Sequence, residues 1–350
     1  MNTIKNVKKG AAERSADNYI KTVELAISTS EINRKSIPDG EYSIGNDGDL
    51  IGTDLPNGKL EIEMNGNKPT SGIIVIKDGQ VTMDSKMTIG EYIVHYDDTI
   101  KRYTAEEPKK YNDGEVVYFN VTAGKRCSNY TETQSNIGVK EDCMKFYAFN
   151  DNGGVTLNLI LDHNTTATVA WNSSKSNTNG PKEVLAQLKE DTSSWIGTIT
   201  PSNYTMNQTG QTGNANYTID YSSYRARLIT ANEIAQITGN TTWDEKSTNS
   251  PFYLDTKTTT ISDACKDGDT SGCSYGWLYD RTSQTCTKYG CLNDADSAMT
   301  GFGYWTSSSR AVNTSYAWRV SFYGNVSYSI VSDNGYGVRP VITISKSQLD

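Results

Sequence analysis

Histidine is scarce in this chain of 350 residues, which contains only His95 and His163. The two are far apart in the sequence, and no Cys-x-x-Cys spacing accompanies them, so the usual signatures of a zinc site are missing. His163 ends a strongly apolar stretch beside Asp162, which favours a buried, hydrogen-bonded histidine over an acid–base dyad. The sequence therefore predicts no cofactor, no metal and no catalytic residue.

Long apolar runs and excess positive charge are also missing. No stretch of about eighteen apolar residues occurs, which is the length that a membrane-spanning helix needs. The formal net charge is -8, and affinity for a phosphate backbone comes from Lys and Arg that displace counterions. Nucleic acid is therefore not expected as a partner.

Calcium-loop signatures are incomplete. Asp267-Gly268-Asp269 and Asn293-Asp294-Ala295-Asp296 place oxygen ligands at close spacing, but neither matches the twelve-residue loop of an EF-hand. We therefore interpret both segments as solvated turns, with calcium-dependent sugar binding as the alternative.

Tyrosine, in contrast, is abundant: 22 residues against 6 Phe and 6 Trp. Its ring combines apolar area with a hydroxyl group that needs a partner, which suits the edges of a core and binding faces.

The six cysteines form three pairs that are close in sequence. Spacing alone cannot choose among the roughly fifteen complete pairings. We predict sequential pairing, because each pair spans a polar, turn-rich loop: Cys127 with Cys143, Cys265 with Cys273, and Cys286 with Cys291. Disulfides imply an oxidising location. Since this sequence begins without an apolar signal core, we expect the native protein to carry an N-terminal segment that is absent here.

The first residues predict an amphipathic helix, because apolar side chains recur every three to four positions. They are Ile4, Val7, Ala11, Ala16, Tyr19, Ile20, Val23 and Ile27. Short apolar runs follow, and Asp78-Gly79 between two of them predicts a type I′ hairpin turn. We assign residues 1–105 to this helix and a small antiparallel sheet, with a linker at 101–110.

The helix resembles the soluble half of the long helix of type IV pilin-like proteins, including pseudopilins, through Lys8-Lys9-Gly10-Ala11-Ala12-Glu13-Arg14-Ser15-Ala16-Asp17-Asn18-Tyr19-Ile20. That resemblance implies an extracellular pilus location, other pilin subunits as partners through the helix, and membrane contact only through the missing N-terminal segment. The alternative is a helix that only packs on its own domain.

Residues 112–350 predict a second domain that ends in a hairpin. Within 317–323 large apolar residues alternate with polar ones, as a half-buried strand requires. We therefore expect Trp305, Trp318, Val320 and Phe322 to be buried, and Arg319, Ser321 and Tyr323 to be exposed.

Gly303-Tyr304-Trp305-Thr306-Ser307, followed by Gly337-Val338-Arg339-Pro340-Val341, resembles the closing segment of C-type-lectin-fold domains, especially those of bacterial surface proteins and those diversified by retroelements. The fold class expected for the whole chain is α+β, with a pilin-like unit and a C-type-lectin-like unit. The Glu-Pro-Asn, Gln-Pro-Asp and Trp-Asn-Asp tripeptides of calcium-dependent sugar-binding lectins are absent; Leu292-Asn293-Asp294 lacks the Trp.

The function expected from this resemblance is that of a pilus-associated adhesin that binds a protein or glycan receptor through a variable-looking polar face. The candidate ligand-binding residues are Arg310, Asn313, Ser315, Tyr316, Arg319, Ser321, Tyr323, Asn325, Ser327, Tyr328, Asn334 and Tyr336. Their Tyr, Ser, Asn and Arg content is that of an antibody-like binding surface.

Other interpretations of the chain stay open. The polar face is also compatible with an ordinary solvated hairpin, and the chain with a purely structural pilus subunit. A third alternative is an oxidase of the formylglycine-generating type, which would need Cys286 and Cys291 as a reactive pair.

Overall fold

The structure is a computed structural model that describes residues 2–32, 36–127, 143–165, 168–195, 204–206, 217–243, 250–255, 273–279, 303–321 and 324–349. In these ranges the chain is a mixed α+β protein with mostly antiparallel sheets.

The chain divides into two compact units. Unit 1 contains Met1–Lys110, Asn152–Leu157 and Ser345–Asp350, and unit 2 contains Tyr111–Asp151 and Asn158–Ile344. The division is therefore not continuous in sequence, because two short segments beyond residue 110 belong to unit 1.

Unit 1 contains one long helix, two sheets and a short 3-10 helix at Lys346–Leu349. One sheet has the strand order β3-β2-β1-β4-β5 and the other has the order β6-β7-β8. The elements are α1 (Asn2–Ile32), β1 (Gly40–Ile44), β2 (Leu50–Ile51), β3 (Lys59–Leu60), β4 (Ile73–Lys77), β5 (Gln80–Met83), β6 (Met87–Ile89), β7 (Tyr92–Asp97) and β8 (Arg102–Glu106).

The predicted N-terminal helix is confirmed, but its buried face is shorter than the apolar pattern suggests. Ala16, Tyr19 and Val23 are fully buried, in a cluster with side chains from both sheets. Ile4 and Val7 are 67% and 63% exposed, so the apolar face is solvent-exposed at its N-terminal end. The reason is that the sheets of unit 1 cover the apolar face only from about Ala12 onward.

The predicted hairpin turn is confirmed. Lys77 pairs with Gln80, which leaves Asp78 and Gly79 as a two-residue loop with φ of 49° and 75°. Positive φ at both central residues is what a type I′ turn requires, and Asp and Gly tolerate it better than most residues.

The last described residues of the chain are anchored in unit 1 by buried hydroxyl groups. Thr88 Oγ1 lies 2.6 Å from Ser345 Oγ, and Ser71 Oγ lies 2.9 Å from Ser347 Oγ. The two serines of the final segment are also hydrogen-bonded to each other, at 2.8 Å. These bonds satisfy hydroxyl groups that burial would otherwise leave without water.

Unit 2 is built around two larger sheets and two helices. The sheets have the strand orders β10-β9-β11-β12-β19 and β15-β18-β17-β16, and a further pair is β13-β14. The strands are β9 (Val116–Asn120), β10 (Lys125–Arg126), β11 (Cys143–Phe149), β12 (Thr156–Leu161), β13 (Tyr204–Met206), β14 (Tyr217–Ile219), β15 (Phe252–Tyr253), β16 (Gly303–Ser309), β17 (Tyr316–Ser321), β18 (Asn325–Ile330) and β19 (Val341–Ser345). The helices are α2 (Glu183–Asp191) and α3 (Ala231–Ile237).

The hydrophobic core of unit 2 confirms part of the predicted alternation. Trp305, Trp318 and Val320 are fully buried. Burying a Val-sized side chain contributes about 1.5–3 kcal/mol, so this strand contributes strongly to stability. Phe322 lies outside the described residues.

Candidate functional site

The sheet β15-β18-β17-β16 carries six of the twelve residues that the sequence predicts to bind a ligand. Strand β17 lies between β16 and β18. It pairs with β18 from Tyr316↔Ile330 to Ser321↔Asn325. Directly paired residues of antiparallel strands point to the same side of a sheet, so this register assigns each side chain to a side.

One side of the sheet, here called the core side, faces the hydrophobic core. Trp318 is buried in that core and pairs with Tyr328; two residues earlier along β17, Tyr316 pairs with Ile330. Tyr316 and Tyr328 are half-buried, and Ile330 is 47% exposed. The core side therefore reaches solvent at its Ile330 end.

The opposite side, here called the second side, carries the other set of predicted residues. Arg319 pairs with Ser327, and Ser321 pairs with Asn325. Trp305 of β16 pairs with Arg319 and so points to the second side as well. The register thus separates Tyr316 and Tyr328 from these residues, and the predicted set does not form one continuous face.

The second side is partly covered by a side chain from a neighbouring segment of the sheet. Gly337 is bridged to Tyr304 at the β16 edge and the Val169 N–H donates to the Tyr336 carbonyl at 2.9 Å, so these segments extend the sheet beyond β16, and the Tyr336 ring lies against Arg319 and Trp305. Ser321 is 2% exposed and Tyr336 is 6% exposed. The predicted exposure of Ser321 is therefore wrong, and Arg319 is half-buried instead of exposed, because alternation along one strand cannot reveal side chains that come from distant segments.

Three predicted residues, Arg310, Asn313 and Ser315, lie in the turn between β16 and β17. Asn313 Oδ1 accepts a hydrogen bond from the Ser315 backbone N–H at 2.9 Å. The amide of Asn177 holds this turn by donating to the carbonyls of Arg310, Asn313 and Tyr316, at 3.0, 3.0 and 2.8 Å. The turn is thus fixed by a residue that the sequence analysis did not single out.

One other predicted residue lies apart from these groups. Asn334 is exposed in the segment that follows β18. Tyr323 lies outside the described residues.

Arg319 is held on the second side by two aromatic rings. Its guanidinium carbon lies 4.9 Å from the centre of the Tyr336 ring. The Tyr336 ring in turn meets Trp305 edge to face, with ring centres 4.7 Å apart. Trp305 is fixed by a 2.8 Å hydrogen bond from Nε1 to the Val169 carbonyl.

Hydrogen bonds are nevertheless missing at this position. Arg319 Nε and Nη1 are removed from solvent, and no described residue accepts a hydrogen bond from them. The same holds for Asn325 Oδ1, a buried acceptor without a donor in the described part of the chain. Burial lowers the pKa of the Arg319 guanidinium, with Tyr336 and Asp333 opposing that shift.

The core side ends in a cluster that we call the aromatic rim, made of Arg310, Tyr316, Tyr328 and Ile330. The guanidinium carbon of Arg310 lies 3.5 Å from the centre of the Tyr328 ring. The Tyr316 and Tyr328 rings meet edge to face at 5.4 Å. The sequence analysis missed Ile330, although its alternation with Val326 and Tyr328 could have indicated it.

Arg339 is a fully buried arginine whose donors are all directed at backbone carbonyls. Nε donates to Leu161 O at 2.5 Å and Nη1 to Leu278 O at 2.8 Å. Nη2 donates to Asp162 O at 3.0 Å and to Trp277 O at 2.7 Å. Arg339, which lies two residues before β19, therefore joins the end of β12 and the 3-10 helix Gly276–Leu278, a role that its place in the Gly-Val-Arg-Pro-Val motif did not predict.

Asp162 and His163 lie in a buried polar group. Tyr147 Oη donates to Asp162 Oδ1 at 2.7 Å, and Lys145 Nζ and His163 Nδ1 lie 3.7 and 3.5 Å from the carboxylate. Burial alone would raise the pKa of Asp162, but His163 and Lys145 hold that pKa well below its usual range. His163 is 5% exposed, which agrees with the prediction of a buried histidine.

One predicted disulfide is confirmed, since Cys127 and Cys143 are bonded with their Cα atoms 5.9 Å apart. Cys273 is also disulfide-bonded. Cys265, Cys286 and Cys291 lie outside the described residues, so these two pairings stay predictions.

Neither a metal site nor a membrane span is found in the described ranges. No three His, Cys, Asp or Glu residues in them are grouped as metal ligands would be. No described helix is both long enough and apolar enough to cross a membrane. The carboxylates at 267–269 and 293–296 lie outside the described part of the chain.

Comparisons with protein-family models, with characterised proteins and with solved structures find no match to this chain. The candidate site is therefore assessed on its geometry alone.

Proposed function

We propose that this protein is an extracellular, pilus-associated adhesin that binds a receptor through the aromatic rim of unit 2. A long helix over small antiparallel sheets supports a pilin-like role for unit 1, with α1 contacting other pilin subunits. The two larger sheets and two helices of unit 2 are compatible with a C-type-lectin-like module. Binding, rather than catalysis, is the role proposed for unit 2.

The observation that carries the proposal is the composition and stacking of the aromatic rim. Tyr and Arg are the side chains most often found to carry the binding energy of an interface, especially beside partly desolvated apolar surface. Here Arg310 lies flat on Tyr328, Tyr316 supports that ring, and Ile330 adds an exposed aliphatic group. Because these side chains are already stacked, little side-chain entropy is lost when a partner binds.

The proposal includes diversification by a retroelement. Such diversification would vary residues whose substitution leaves the fold intact. Residues of the turn and of the segment after β18, such as Asn313, Ser315 and Asn334, are half-buried or exposed and so are suited to variation. Ser321 and Tyr336 are less suited because both are buried.

The test is receptor binding by the full chain on a glycan array and on intact host and bacterial cells. The double variant Tyr316→Ala, Tyr328→Ala should lose the signal, since true hot spots cost about 2 kcal/mol or more each. The matched control is Tyr96→Ala, which removes a tyrosine that is 41% exposed in unit 1. Thermal melting of each variant separates lost binding from lost folding.

Two outcomes would favour the alternatives. A rim variant that binds every positive target as well as the wild type does would favour a structural pilus subunit. Free thiols at Cys286 and Cys291, measured by mass spectrometry of the unreduced digest, would favour the oxidase.

A further inference from the structure

Arg319 is a cation that is withdrawn from water without a hydrogen-bond acceptor for two of its nitrogens. Nε and Nη1 have no partner among the described residues, and Arg319 forms no ion pair with a carboxylate in that part of the chain. Buried polar groups are satisfied in the great majority of cases, so each exception calls for an explanation. A group that binds an external acceptor is one such explanation.

A second unsatisfied atom lies on the same side of the same sheet. Asn325 pairs with Ser321, and Arg319 pairs with Ser327, so Arg319 and Asn325 are diagonal neighbours across β17 and β18. Diagonal neighbours are about 7–8 Å apart at the backbone, within reach of long side chains. The two residues thus offer unused donors next to an unused acceptor, Asn325 Oδ1.

We propose that Arg319 and Asn325 form a binding site for a carboxylate that carries a neighbouring hydroxyl or amide donor. The site lies on the second side of the sheet, opposite the aromatic rim, and therefore goes beyond the adhesion proposed above. Arg319 donates to the carboxylate, and Asn325 Oδ1 accepts from the neighbouring donor.

A carboxylate fits this site better than a spherical anion does. The guanidinium group is planar, and each of its two edges, Nε with Nη2 and Nη1 with Nη2, presents a pair of N–H groups that matches two carboxylate oxygens, so each edge contains one of the unpartnered nitrogens. Tyr336 and Trp305 fix the plane of the fork before the ligand arrives, which reduces the entropy lost on binding. Partial burial strengthens each charged hydrogen bond relative to water.

The direct experiment follows the Nε–H signal of Arg319 by NMR in the ¹⁵N-labelled full chain. The signal is assigned by its loss in Arg319→Lys and is titrated with sodium acetate, and separately with acetamide and with sodium chloride at equal ionic strength. We expect a saturable shift with acetate only. The Nε–H signal of Arg102, an exposed arginine of unit 1 assigned with Arg102→Lys, is the control and should not saturate.

Larger probes identify the source of the carboxylate. Glucuronate is compared with glucose, and N-acetyl-aspartate amide with N-acetyl-asparagine amide. We expect one of the two acids to bind more tightly than acetate. Arg319→Lys should lower the affinity for that acid about tenfold, because Lys cannot form the paired hydrogen bonds of a guanidinium group. If neither acid exceeds acetate, or if inorganic phosphate binds more tightly than both, the proposal is overturned.

A melting measurement without ligand tests whether Arg319 is merely structural. Replacing an uncompensated buried charge by an apolar side chain of similar length is often neutral or stabilising, so Arg319→Met should melt no lower than the wild type. A marked fall in melting temperature would overturn the proposal. Rim variants are not used here, so failure of this site and failure of the rim are separate results.

Discussion

Arg339 and Arg319 lie in the same unit and differ in what surrounds the guanidinium group. Both stack on a tyrosine: the Arg339 guanidinium lies 5.2 Å from the ring centre of Tyr304, and that of Arg319 lies 4.9 Å from the ring centre of Tyr336. Arg339 is fully buried and donates to four backbone carbonyls, whereas two nitrogens of Arg319 donate to no described residue.

The comparison teaches that burial and stacking alone do not identify the role of a charged residue. A buried cation is stabilising only when its donors are satisfied, because desolvation otherwise outweighs the attraction. Arg339 meets that condition within the fold and is therefore a structural residue. Arg319 meets that condition only if a ligand accepts hydrogen bonds from its two unpartnered nitrogens.

The strongest test of this contrast is Arg339→Met, which removes four hydrogen bonds to backbone carbonyls, of which Leu278 O keeps a second donor in Tyr304 Oη. Each unsatisfied group costs about 1–3 kcal/mol, so we expect a loss of about 5 kcal/mol in the free energy of unfolding. Urea denaturation followed by circular dichroism measures it. Arg339→Lys, which keeps the charge but not the fork, should lose less, and an unchanged midpoint for Arg339→Met would show that the four bonds are not stabilising.

Trp305→Ala tests the support beneath Arg319. Removing this fully buried ring leaves a cavity beside Tyr336, and we expect a loss of about 3 kcal/mol in the free energy of unfolding. Without the Trp305 ring, Arg319 should also become exposed to water. The chemical shift of its Nε–H signal should then move toward that of an exposed arginine. Tyr336→Phe is the control because it keeps the ring. A variant with unchanged stability would contradict the assignment of the second side.

The variant Asp162→Asn tests how the stability of the region around Arg339 depends on pH. The backbone carbonyl of Asp162 accepts a hydrogen bond from Arg339. The pKa of the Asp162 carboxyl is depressed in the folded state, so its stabilisation is present above the unfolded value of about 3.9 and is lost as pH falls through the folded value. We expect the variant to be less stable by on the order of 2 kcal/mol at pH 7.

That difference should shrink as the pH falls below about 4. Urea midpoints measured between neutral and acid pH decide the point. The control is Asp78→Asn, in the tight turn of unit 1, where Asn also tolerates positive φ. A difference that stays constant down to acid pH would mean that Asp162 is not ionised in the fold.

The smallest expected effect concerns Arg310, a third arginine that stacks on Tyr328 at the aromatic rim. Arg310→Gln should lower the free energy of unfolding by about 0.5–1 kcal/mol, the usual strength of a partly exposed cation–π contact. Arg310→Lys should keep part of that energy. If the free energy of unfolding falls as much as it does in Arg339→Met, Arg310 is a structural residue like Arg339.

Local features of this fold are predictable from the sequence because their causes are local. Asp78 and Gly79 form the predicted turn, and Thr230 and Glu233 form a reciprocal capping box at the start of α3, as their spacing indicates. The burial of Trp318 and Val320 follows from alternation along one strand. Each of these depends on residues a few positions apart.

The candidate site depends on partners that are distant in sequence. Trp305 Nε1 bonds to Val169, 136 positions away, and Arg339 bonds to Leu161, 178 positions away. Alternation in β17 indicates which residues share a side, but it cannot indicate that the ring of Tyr336, from a distant segment, lies over Arg319. The error over Ser321 and the missed role of Arg339 share this cause.

The return of residues 345–350 to unit 1 changes how the protein would carry mechanical load. The chain passes between the units four times, at residues 110–111, 151–152, 157–158 and 344–345. A force that pulls unit 2 away from α1 is therefore transmitted through four covalent links between the units instead of one. The last of these links can separate from unit 1 only after the hydrogen bonds of Ser345 with Thr88 and of Ser347 with Ser71 have broken. These buried hydroxyl groups therefore resist detachment of the final segment under load.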